Sequence, residues 1–126
     1  MANNVVHILR YPNLVLTKET VKGLGDKSMS KGVKIEVHKF LDLLNEYGNN
    51  HNHLNKRTEK TYSKHDIWEM KFKDKSNTEW RILFKKISKK TKPAQYALLT
   101  MFKKKTKKLS KQDLDKAEQI AKREGW

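Results

Sequence analysis

An α+β fold is predicted for this chain, with two helices set before a meander of antiparallel strands and a third helix at the end. Three observations carry it. Residues 30–47 repeat apolar side chains at helical spacing. Two later runs alternate apolar and polar residues with the period of strands, and a third, 96–102, is a short apolar run. Residues 110–121 return to helical spacing behind a cap signal. Helices gathered outside a run of strands are the mark of this class.

In chain order, residues 5–9 and 14–16 are short apolar runs broken by Pro12 and Asn13, and one or both suit a strand. Thr17 can cap a short helix over 18–24, with Gly23 and Gly25 at its end. Val33, Val37, Phe40, Leu41 and Leu44 make the apolar stripe of the next helix, and Gly48 stops it. Residues 49–64 are polar and read as a loop. In 67–73, Trp68, Met70 and Phe72 alternate with Glu69, Lys71 and Lys73. In 79–87, Trp80, Ile82 and Phe84 alternate with Arg81, Leu83 and Lys85. The short turn between them predicts a hairpin. The third strand is 96–102, after a basic loop at 88–93. Ser110 with Asp113 approximates a capping box, Leu109 with Leu114 a hydrophobic staple, and Leu114, Ala117, Ile120 and Ala121 the apolar face of the last helix.

The 126 residues match one domain, and 36% hydrophobic content supplies one modest core. Net charge is +15, unevenly placed. Residues 1–53 carry +2 and residues 54–126 carry +13. A basic half of this kind implies a phosphate-rich or acidic partner. With no cysteine there is no disulfide framework and no thiolate metal site. No apolar run reaches the ~18 residues of a membrane span. The start lacks the pattern of a signal peptide, so a cytosolic protein is expected.

If the hairpin turns symmetrically about Ser76, Lys71 lies opposite Arg81, and both point away from the Trp68/Trp80 face together with Lys73 and Lys85. Cross-strand neighbours on one face sit about 5 Å apart. Lys103 and Lys104, following the third strand, are expected to join the end of a flat or concave cationic surface with Arg81 near its centre. Such a surface suits RNA: cations neutralise phosphates and arginine can grip one bidentately. Cleavage by the 2′-OH needs a base, cations for the phosphorane and an acid. A lysine crowded by other cations can be tuned for proton transfer. The plain alternative for each lysine is a solvated strand position. His51-Asn52-His53 reads as a solvated loop and not a metal site. Trp68, Trp80 and Tyr96 read as core and not as a stacking platform.

Four segments, taken in order, resemble a known family: Ile67-Trp68-Glu69-Met70-Lys71-Phe72-Lys73, Glu79-Trp80-Arg81-Ile82-Leu83-Phe84, the stretch 97–106 containing Phe102-Lys103-Lys104-Lys105-Thr106, and 113–119. Their order and spacing are similar to the phage-derived HigB-like branch of the RelE/ParE toxin superfamily. The resemblance spans roughly residues 30–124 of a single domain covering 1–126, with 1–29 as a poorly matched N-terminal extension. It implies a RelE-like fold, N-terminal helices packed on a small twisted antiparallel sheet with a C-terminal helix. It implies a type II toxin that enters the ribosomal A site, contacts rRNA, and cleaves mRNA with neither metal nor cofactor. A cognate helix-turn-helix antitoxin would neutralise it. By position, Arg81 matches the strand arginine at the scissile phosphate, Lys71 a basic residue of the same active face, and Lys103 with Lys104 the basic pair after the last strand. Arg81, Lys71 and Lys104 are then the catalytic candidates. Lys73, Lys85, Lys103, Lys105, Lys107 and Lys108 are the nucleic-acid-binding ones. The chain departs from the pattern at Thr100, where many HigB-like members carry histidine, and in having no late aromatic near residues 108–110. His65 and Tyr62 are the substitutes for proton transfer. Two other readings remain: a ParE-like gyrase poison without nuclease activity, and a non-catalytic basic nucleic-acid-binding protein.

Overall fold

The computed structural model describes residues 4–49, 54, 57–74, 78–88, 94–104 and 109–126. Among these, six strands form one mixed sheet, joined by three helices. The elements are β1 (Val5–His7), β2 (Leu14–Thr17), α1 (Lys18–Leu24), α2 (Lys31–Tyr47), β3 (Thr58–Lys60), β4 (Trp68–Lys73), β5 (Glu79–Ser88), β6 (Gln95–Lys104) and α3 (Lys111–Arg123). The order across the sheet is β1-β2-β6-β5-β4-β3. The α+β class holds, but the arrangement differs from the expected one in two ways.

Both N-terminal runs are strands. They pair as an antiparallel hairpin, and β2 then joins β6 in parallel, so the sheet is mixed and not purely antiparallel. The parallel pair places Leu14 and Leu16 in the main core beside Leu98. The segment 49–64 is not all loop. β3 pairs with β4, and Thr58 is buried while Glu59 and Lys60 are exposed. The helices α2 and α3 cover opposite faces of the sheet. Val33, Val37, Phe40, Leu41 and Leu44 of α2 pack with Met70, Phe72, Trp80, Ile82, Phe84 and Leu98 on one face. Leu114, Ala117, Ile120 and Ala121 of α3 pack with Leu83, Ala97 and Leu99 on the other. Strand alternation sends neighbouring residues to opposite faces, so a sheet whose central strands are apolar at both parities needs cover on both.

Caps fix the helix ends as their sequences indicate. The Ser30 hydroxyl accepts from Val33 N–H. Ser110 and Asp113 form a complete capping box, each side chain bonded to the other's backbone N–H. Gly48 ends α2 at φ +77°, a left-handed conformation suited to glycine. The turn sets Asn49 against Tyr96, whose hydroxyl donates to Asn49 Oδ1 at 2.8 Å and accepts from Asn49 N–H at 3.1 Å.

α1 closes the edge of β6 beyond the reach of β2. The Thr17 hydroxyl donates to the Leu99 carbonyl at 2.6 Å, and the Thr20 hydroxyl donates to the Leu98 carbonyl at 2.7 Å. The helix approaches so closely that a Cβ on Gly23 would lie 2.6 Å from the Met101 carbonyl oxygen. Arg123 of α3 reaches Glu19 of α1 through both terminal nitrogens, at 2.9 and 3.1 Å, and ties the third helix over the same edge. No helix among the described residues is long and apolar enough to cross a membrane.

Candidate nucleic-acid interface

The β4–β5 hairpin has the register expected of a turn symmetric about Ser76. Lys71 stands opposite Arg81, Lys73 opposite Glu79, and Phe72 opposite Trp80. Arg81 therefore points to the α3 side of the sheet, away from Trp80, with Lys71 on one flank and Phe102 of β6 on the other. Residue 76 itself lies outside the described residues.

The expected open cationic surface does not form around Arg81. The side chain is 0% exposed. Nη1 donates to Glu69 Oε2 at 3.3 Å and Nη2 to Glu79 Oε2 at 3.5 Å. Lys71 Nζ lies 3.7 Å from the other Glu69 oxygen. The physical reason is the alternation itself: Glu69 and Glu79 sit two residues from Lys71 and Arg81 on the same strands, so acids and bases share one face. Burial pushes the Glu69 carboxyl above its usual range, while Arg81 and Lys71 pull it back and Glu59 adds to the rise.

Lys103 and Lys104 do not act as a pair. β6 continues through both, so they point to opposite faces. Lys104, opposite Glu79, joins the Arg81 side and forms an ion pair with Asp113 of the α3 capping box. Burial works to raise the Asp113 carboxyl, yet Lys104 and the Ser110 hydroxyl hold it below its usual range. Lys103 goes to the α2 side. Its ammonium stands 5.7 Å from the Trp80 ring centre and donates to Ser28 Oγ at 3.0 Å. Lys73 is exposed at the end of β4. Lys85 shares the strand face of Arg81 but not its surroundings. α3 packs on Leu83 between them, and Lys85 lines a separate groove with His65, Glu118 and Trp126. Lys105, Lys107 and Lys108, like His51 and His53, fall outside the described residues.

Beside Arg81 the surface opens into a groove of about 440 Å³, lined by Glu59, Lys60, Thr61, Tyr62, Glu69, Lys71 and Leu109. Tyr62 is 68% exposed there, and Lys71 is 38% exposed along its side chain. The groove thus brings a phenol, two ammonium groups and two carboxylates together at the β3–β4 edge. His65 lies outside it. Thr100 is buried opposite Leu83, next to a bulge at Leu99 formed where Leu83 pairs with Thr100 and Phe84 with Leu98. A threonine hydroxyl does not exchange protons near neutral pH as imidazole does, so Thr100 supplies no acid or base. What sequence reasoning missed is the acidic partners, Glu69 and Glu79. The signal was present in the alternation that identified Lys71 and Arg81.

A family model described as "Phage derived protein Gp49-like (DUF891)" matches residues 27–122. The match takes in α2, the strands β3 to β6 and nearly all of α3. No curated protein and no solved structure matches the chain.

Proposed function

Because the chain belongs to the phage-derived Gp49-like family, which lies within the RelE/HigB-like toxin superfamily, we propose that it is the toxin of a type II toxin–antitoxin system. On this reading it inhibits translation by cleaving mRNA in the ribosomal A site. The observation that carries the reading is Lys71 standing opposite Arg81 on one sheet face, beside a groove that also holds Lys60 and Tyr62. Attack by a 2′-OH, whose proton passes to a base in the groove, forms the bond to the adjacent phosphate as the bond to the 5′ oxygen breaks, and it builds negative charge on the phosphorane oxygens. On this reading the Lys71 ammonium meets that charge from the groove, and the Arg81 guanidinium meets it once a carboxylate partner gives way. Lys71 and Tyr62 line the groove and are the candidates for proton transfer to the leaving 5′ oxygen. The basic half, +13 over residues 54–126, draws the protein to rRNA and mRNA backbone. The partner that neutralises it is a small helix-turn-helix protein whose acidic surface covers the groove.

A second reading is favoured by one observation. Arg81 is buried between two carboxylates, as suits a protein that binds and poisons a target such as gyrase without hydrolysing RNA. Inducing the chain in cells while mapping mRNA 5′ ends and assaying gyrase separates the two. New in-frame cuts that vanish with Arg81→Ala support the nuclease. Growth arrest with intact mRNA and cleaved DNA overturns it.

A further inference from the structure

The Arg81 guanidinium already holds two carboxylate oxygens, one on each terminal nitrogen, at 3.3 and 3.5 Å. Two anionic oxygens across the guanidinium fork is also the way arginine holds a phosphate. The two acids are not equivalent. The Glu69 side chain is 7% exposed and is held by Lys71 as well as Arg81. The Glu79 side chain is 19% exposed, sits at the first residue of β5, and is the more easily turned out to water.

We propose, resting on the reading that this face takes RNA, that Glu79 is an internal stand-in for a backbone phosphate and holds the free protein latent until RNA displaces it. The exchange keeps charge balanced. The Glu79 carboxylate swings to solvent as the phosphate arrives, and the guanidinium is never left buried without an anion, which would cost heavily. An intramolecular carboxylate competes at high effective concentration, so the affinity of the free chain for RNA is held below what its charge alone would give.

The test measures binding of a short end-labelled single-stranded RNA to the full chain by fluorescence anisotropy. Four proteins are compared: wild type, Glu79→Gln, Glu79→Asp and Glu46→Gln, the last a control on the exposed side of α2. Arg81→Ala is then added to each. Glu79→Gln should bind about fivefold tighter or more, the lower end of ordinary coupling between linked sites. Glu79→Asp, which keeps the charge but shortens the reach, should gain in the same direction. Neither gain should survive Arg81→Ala. A thermal melt checks that each variant is folded, and Glu79→Asp carries the test should Glu79→Gln fail to fold. The inference is overturned if Glu79→Gln gains no more than Glu46→Gln, or if the gain persists without Arg81. Wild-type binding that still depends on Lys71 would in that case leave the RNA reading standing. Absence of RNA binding in every variant overturns both.

Discussion

Arg81 and Glu69 meet on the diagonal between adjacent strands, 3.3 Å apart, each almost sealed from water. Removing one partner from a buried pair leaves the other charge uncompensated and commonly costs 3–5 kcal/mol. Arg81 keeps Glu79 when Glu69 is neutralised, so Glu69→Gln should cost less, about 2–3 kcal/mol. Arg81→Met leaves Glu69 with Lys71 and should cost a similar amount. Joint replacement by Arg81→Met and Glu69→Gln should cost clearly less than the two single changes added together. Urea midpoints at unchanged m-value measure this; strict additivity would show that the pair is not coupled.

The same carboxyl gives a pH signature. Glu69 is raised above its usual 4.5, chiefly by burial. The folded protein therefore binds more protons than the unfolded chain just above that value, and stability falls as pH rises through the folded-state pKa. Glu19 and Asp113 are lowered, Glu19 first by its hydrogen bonds from Arg123, and Asp113 by Lys104 and Ser110 against the opposing effect of burial. Their contribution is present above the usual carboxyl range and is lost as pH falls through their folded-state values. Denaturation of wild type and Glu69→Gln between about pH 4 and pH 7 isolates the first effect. The advantage of wild type over the variant should shrink as pH rises. A constant difference would mean that burial does not control this group.

The closed edge of β6 predicts a steric effect at Gly23. An added methyl would meet the Met101 carbonyl oxygen at 2.6 Å and the Met101 Cβ at 2.8 Å, both on a strand with little freedom to yield. Gly23→Ala should destabilise by about 1–3 kcal/mol, the usual cost of overpacking. Its opposite would be a stability gain from higher helix propensity, which is the result expected if α1 could move away from the sheet.

Two threonines make the matching polar prediction. Thr17 and Thr20 are fully buried, and their hydroxyls satisfy the Leu99 and Leu98 carbonyls. Replacing either by valine strands a carbonyl at a sheet edge and should cost about 1–3 kcal/mol. Thr17 also caps α1 and should be the more sensitive. Serine should recover most of the loss at both positions. Equal damage by serine and valine would point to packing and not to the hydroxyl.

How far the sequence carried the fold is clear from particular elements. α2 and α3 were legible because their apolar residues keep helical spacing between cap signals. The Lys71–Arg81 register was legible because a short symmetric turn leaves little choice of pairing. β3 was not, since Thr58-Glu59-Lys60 has no apolar alternation and earns its place by hydrogen bonding to β4. The parallel β2–β6 pair was hidden because its two strands lie at opposite ends of the chain, where local patterns say nothing about partners. The split of Lys103 from Lys104, which does join the Arg81 face, was hidden because β6 runs two residues past its apolar run. The acidic half of the site was visible in the alternation but was outweighed by the net positive charge.

The most direct measurement of the central claim is primer extension on mRNA bound to purified ribosomes with an open A site. Wild-type protein should cut within the A-site codon, Lys71→Ala and Arg81→Ala should each reduce cutting strongly, and the same mRNA free of ribosomes should stay whole. Intact mRNA on programmed ribosomes, or cutting that is indifferent to both substitutions, would contradict the account.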